Sequence, residues 1–74
     1  MEITPGISVD QNICGGRPVL MGTRIPVDLV LGKLAGGMNY DEVMQEYDIT
    51  REQILAALNF AAKTISDEEI RAVG

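Results

Sequence analysis

The sequence predicts a mainly α fold: a three-helix, helix-turn-helix bundle with an N-terminal β-hairpin and a short C-terminal helix. Three observations lead there. Apolar residues recur at helical spacing in three consecutive stretches after Pro26. The links between those stretches are short, and glycine pairs or capping residues mark their ends. Upstream, two β-prone runs flank a turn-forming stretch. A chain of 74 residues makes a single domain, here divided into a hairpin arm (1–25), a three-helix core (26–65) and a tail (66–74).

In the arm, Ile7-Ser8-Val9 and Pro18-Val19-Leu20-Met21 are the strand-like runs, with Asp10-Gln11-Asn12 and Gly15-Gly16 as turn formers between them. The loop of about eight residues is longer than a tight hairpin turn. Two strands alone are marginal in water, so they are expected to lie on the helices or on the hairpin of a second subunit.

Pro26 is expected at the first helical position, where a missing N–H costs nothing. Val27, Val30, Leu31 and Leu34 then form one stripe that stops at Gly36-Gly37, with Leu29 turned away from it. Asn39 is placed to cap a second helix that ends near Asp48. Its apolar face is Tyr40, Val43, Met44 and Tyr47, and Asp41, Glu42, Gln45 and Glu46 lie opposite.

Thr50 and Gln53 form a capping box for the third helix. Ile54, Leu58, Ala61 and Ile65 line its core face, with Ala57 and Ala62 at the margins and Glu52, Ala56, Asn59 and Lys63 opposite. Ser66 with Glu69 repeats the capping pattern and is expected to start a fourth helix carrying Ile70. Helices two and three, joined by about two or three residues and sharing one core, make the helix-turn-helix arrangement, with the first helix packed across both.

So short a chain buries a limited core and gains from a staple or a partner. Cys14 is the only cysteine and histidine is absent, so an internal disulfide is excluded and a structural zinc site lacks its ligands. Association is the remaining route to stability, most simply as a homodimer. Apolar stretches are short and interrupted, so no membrane span is expected. Met1–Gly6 lacks the basic and apolar regions of a signal peptide, and a lone reduced cysteine agrees with a cytoplasmic location. A net charge of −5 opposes nucleic-acid binding by bulk electrostatics and leaves open binding by a locally basic patch.

The segment Gly22-Thr23-Arg24-Ile25-Pro26 has two readings. In one, Arg24 binds a partner or a phosphate at a strand-to-helix junction. In the favoured one the motif is structural: Gly22 supplies an unusual backbone angle, Pro26 starts the helix, and Arg24 ties the junction down through an intramolecular carboxylate. Gly15-Gly16-Arg17 through Gly22-Thr23 is not a phosphate loop, because no Lys precedes Thr23 and the intervening residues are apolar. Without histidine no usual nucleophile–base pair can be assembled, so no enzyme activity, cofactor or small-molecule substrate is expected. Asp41, Glu42 and Glu46 read as a solvated face rather than a cation site. Cys14 reads as a small buried apolar residue.

The run from Gly16 to Val27, Gly-Arg-Pro-Val-Leu-Met-Gly-Thr-Arg-Ile-Pro-Val, resembles the small prokaryotic family catalogued as domain of unknown function 433. That family's pattern is roughly Gly-Lys/Arg-Pro-x-hydrophobic-x-Gly-Thr-Arg-Ile-Pro-Val. The resemblance extends upstream through Ile7–Asp10 and Ile13–Gly16. Downstream it takes in Gly37-Met38, Tyr47, Ile49-Thr50, Ile54, Ala56-Ala57-Leu58 and Phe60-Ala61. It implies a homeodomain-like helical bundle with a β-hairpin, and a role as the antitoxin of a toxin–antitoxin pair whose partner is a PIN-like nuclease. One departure is the turn after Tyr47. The family usually has a Pro there and a slightly longer link, whereas this chain has Asp48-Ile49-Thr50.

Two functions are therefore expected, and they are compatible. The first is an antitoxin-like protein that binds and neutralises a nuclease, its acidic surface complementing a basic cleft. The second is a DNA-binding autoregulator using helix three. In that case Asn59 and Gln53 are placed to read adenine and Arg51 and Lys63 to meet phosphates, with Glu52 opposing them. Arg17, Gly22, Thr23, Arg24 and Pro26 are the candidate partner-binding or structural set.

Overall fold

The N-terminal arm folds as a three-stranded antiparallel sheet, one strand more than the hairpin expected. The computed structural model describes residues 1–67, and the sheet is β1 (Glu2–Thr4), β2 (Ile7–Ser8) and β3 (Val19–Leu20), in that spatial order. Strand β2 pairs with β3 as Ile7 with Leu20 and Ser8 with Val19. Strand β1 adds to the other edge of β2 through Pro5-Gly6, a dipeptide suited to a type II turn, with Gly6 at φ +83°. The strands are shorter than expected, since Val9, Pro18 and Met21 lie outside them. Between β2 and β3 the Asp10 carboxylate accepts the Asn12 N–H at 2.8 Å, and Cys14–Gly16 form one 3-10 turn.

Three helices follow: α1 (Val27–Ala35), α2 (Tyr40–Tyr47) and α3 (Arg51–Asp67). Helix α1 packs on both others. It starts one residue later than expected. Pro26 is the extended residue ahead of it (ψ 142°), because its backbone is drawn into a bridge with Val19. At the far end the Gly37 N–H donates to the Leu34 carbonyl and the Met38 N–H to that of Lys33, a Schellman closure at the expected glycine pair. Asn39 caps α2 with a reciprocal box: its side chain accepts the Glu42 N–H at 2.8 Å, and Glu42 accepts the Asn39 N–H at 2.9 Å. Helix α2 ends at Asp48, which takes the left-handed conformation (φ 53°). The Ile49 N–H then bonds the Met44 carbonyl, and the Ile49 side chain turns into the core.

Helix α3 is 17 residues long and passes through Ser66, so Ser66 begins no new helix. Glu69 and Ile70, assigned with it to a fourth helix, lie outside the described residues. The core unites Ile7 and Leu20 of the sheet with Val27, Val30, Val43, Ile49, Ile54 and Ala57. The sheet thus lies on the helices of its own chain, as burial of its apolar side chains requires. Among the described residues no helix is long and apolar enough to cross a membrane.

Three positions on α3 depart from the helical-wheel reading, among them Ala57, expected at the margin and fully buried. Ala56 is half-buried rather than solvated, because the turn between β1 and β2 covers it. Ile65 is 59% exposed rather than in the core, because it borders an open groove with Val27 and Leu31 of α1 instead of being covered by them. The centre of the buried face is Ile54 and Ala57.

Candidate functional site

The segment 17–28 is a clasp between sheet and helix. After β3 the chain turns at Gly22 (φ +77°) and comes back antiparallel to the strand it has just left. The Leu20 N–H donates to the Ile25 carbonyl at 3.0 Å and the Val27 N–H to the Pro18 carbonyl at 3.0 Å. Thr23 closes the loop from inside. Its hydroxyl donates to the Leu20 carbonyl at 2.8 Å and accepts the Ile25 N–H at 3.0 Å. Gly22, Thr23 and Pro26 therefore all serve backbone geometry.

The two arginines divide differently from the expectation. Arg17 forms the ion pair with a carboxylate, that of Asp28 in the first turn of α1, and both side chains are more than half exposed. Among the described residues no carboxylate pairs with Arg24. The Arg24 side chain is exposed, and its carbonyl accepts the Cys14 thiol at 3.3 Å. Cys14 itself is only partly buried and has a positive φ of 50°, so it is less a core residue than a latch onto the same loop.

On α3 the four candidate DNA-reading side chains do not share one face. Arg51, Asn59 and Lys63 are exposed, together with Glu52 and Leu55. Gln53 is half-buried, and its amide oxygen accepts the Thr50 N–H at 2.8 Å in the capping box. It is held at the helix start and away from the exposed arc. Arg51 lies over the Tyr40 ring, 5.1 Å from its centroid, which links the start of α3 to α2. On α2, Asp41, Glu42 and Glu46 are all exposed, beside a shallow hollow of about 280 Å³ bounded by Met38, Glu42, Gln45 and Glu46.

A further surface escaped the sequence reading. Residues of α1 and of the second half of α3 enclose an open, apolar groove of about 310 Å³, with the Arg17–Asp28 pair at its rim. Its floor includes Phe60, the chain's only phenylalanine. That residue lies off the predicted stripe, so periodicity alone did not reveal it.

Among the described residues, fold and clasp together define a three-helix bundle backed by an N-terminal sheet. The chain belongs to the family described as protein of unknown function (DUF433), whose model matches residues 7–61. The matched span holds β2, β3, the clasp, α1, α2 and most of α3. A similar fold is seen in the crystal structure, at 2.00 Å resolution, of a DUF433 member protein from Anabaena variabilis. The TM-score is 0.76 at 26% sequence identity, over 82% of this chain and 61% of that one. This chain therefore spans about three-fifths of the length of that relative. No curated protein matches the sequence.

Proposed function

We propose that this chain is an antitoxin-like protein that binds and masks a PIN-like nuclease. The observation that carries the reading is the exposed side of α2. Asp41, Glu42 and Glu46 are all exposed there, and among the described residues no lysine or arginine borders the hollow that Glu42 and Glu46 line. A nuclease cleft that holds an RNA backbone is basic, and an acidic face is its electrostatic complement. The role implied by the resemblance of the Gly16–Val27 run points the same way.

The test is co-expression of the full chain with the product of the neighbouring gene, followed by size-exclusion chromatography. Co-elution is the expected result, lost when Asp41→Lys and Glu46→Lys are combined. No co-elution of the unsubstituted pair overturns the reading.

A second activity, DNA-binding autoregulation, is favoured by a separate observation: Arg51, Asn59 and Lys63 share the exposed arc of α3. Here the helices are read as a homeodomain-like helix-turn-helix, with α1 braced on both α2 and α3 and only Asp48-Ile49-Thr50 between the latter two. Glu52 and the acids of α2 oppose the phosphates and set a limit on affinity.

A further inference from the structure

Along α3 the exposed residues form one arc. At about 100° per residue, Arg51 and Lys63 stand at its two borders, about 120° apart, and Leu55 and Asn59 lie between them, about 40° from one another. All four are exposed, Leu55 by 44%. The arc carries two cations, Arg51 and Lys63, and one acid, Glu52, so its charge is opposite in sign to the −5 of the whole chain. Gln53 is not on it, because its amide oxygen accepts the Thr50 N–H in the capping box. Arg51 is held over the Tyr40 ring of α2.

We propose that this arc reads A·T base pairs in the major groove of duplex DNA, with Leu55 against a thymine 5-methyl group and Asn59 on an adenine one or two steps away. The proposal rests on the DNA-binding reading of α3 and adds what is read. A helix in the groove turns the middle of its open arc to the base edges and its borders to the two phosphate walls. Cations at the borders and uncharged side chains in the middle suit that placement. The Leu55 side chain has no polar atom, so against a purine or cytosine edge it would strip water from donors and acceptors without replacing the hydrogen bonds. The thymine methyl is the apolar group that the base edges present in the major groove. The Asn59 amide offers a donor and an acceptor together, which match N7 and N6 of adenine, whereas guanine presents two acceptors. Guanine is the partner of Arg or Lys, and neither stands in the middle of the arc. Residues four apart on a helix are separated by about 6 Å along its axis, the span of one to two base-pair steps of about 3.4 Å.

Fluorescence anisotropy of the full chain with duplexes of alternating dA-dT, dA-dU, dI-dC and dG-dC tests each contact. Uracil differs from thymine only by the missing methyl group. Inosine–cytosine pairs keep the minor-groove pattern of A·T and present the major-groove pattern of G·C. The dA-dT duplex should bind at least about tenfold tighter than dG-dC or dI-dC, and about fourfold tighter than dA-dU. Leu55→Ala should close the gap between dA-dT and dA-dU, and Asn59→Ala most of the gap between dA-dT and dG-dC. Both variants should keep the far-UV circular dichroism spectrum. Gln53→Ala should leave the base preference unchanged. Equal binding of dA-dT and dI-dC, equal binding of dA-dT and dA-dU, or a methyl effect that persists in Leu55→Ala overturns the proposal and leaves DNA binding standing. No binding to any of the four duplexes overturns both.

Discussion

Gly6 lies directly on Ala56: a Cβ at Gly6 would stand 2.9 Å from the Ala56 Cβ. This contact joins the first turn of the sheet to α3. Taking about 100° per residue, the buried and half-buried positions of α3 run from Ala56 through Gln53, Ala57 and Ile54 to Leu58, an arc of roughly 200°. What remains for a partner is the narrower arc carrying Arg51, Leu55, Asn59 and Lys63.

Gly6→Ala should cost about 2–3 kcal/mol, from left-handed strain and the overlap with Ala56. Urea denaturation measures it. In a double-mutant cycle with Ala56→Gly the overlap should be relieved and the strain retained, giving a favourable coupling. Purely additive effects would show that the two residues do not touch.

Thr23→Val keeps the shape of the side chain and removes both of its hydrogen bonds, leaving the Ile25 N–H without its acceptor. The expected loss is about 1–2 kcal/mol, read as a fall in Tm, and Thr23→Ser should restore most of it. Equal stability of the Val and Ser variants would remove the hydroxyl from the account of the clasp.

Asp28→Asn should change stability by less than about 1 kcal/mol, because the Arg17–Asp28 pair is well exposed and water screens it. The small effect should shrink further at high salt. Thermal melts at two ionic strengths check this. A large, salt-independent loss would mean that the pair is more than a surface tie.

For the DNA-binding reading, affinity for the chain's own promoter fragment should fall steeply between low and moderate salt. Lys63→Glu should weaken binding and Glu52→Gln should strengthen it. Fluorescence anisotropy reads both, and no response to either substitution would exclude the exposed arc of α3 as the reader. Gln53→Ala, by contrast, is expected to act through the capping box, lowering stability by about 1 kcal/mol without a specific effect on DNA.

The helical core was legible because its signals are local. The Val27–Leu34 stripe, the Gly36-Gly37 stop, the Asn39 cap and the Thr50–Gln53 box each involve residues within about two turns of one another. Strand β1 was not legible: three residues are too few for a period, and Glu2 and Ile3 are both exposed. Ala56 and Ile65 were misplaced for a related reason. A helical wheel registers how one helix alternates, while their burial depends on where the sheet turns and on how closely α1 packs against the end of α3. Gln53 shows a residue with two plausible roles, of which the backbone claimed one. The carboxylate expected for Arg24 went to Arg17, a choice made by the return of the loop and invisible along the chain.

The clasp also bears on the order in which the molecule assembles. The bonds Leu20–Ile25 and Pro18–Val27 span short stretches of chain, so closing them costs little entropy. Bringing Ile7 against Ile54 demands a loop of most of the protein. Strand β3, the turn and the start of α1 are therefore expected to organise first, as a small local nucleus onto which α3 later docks. In kinetic terms Thr23 should act mainly on the rate of folding, and Ala56 mainly on the rate of unfolding.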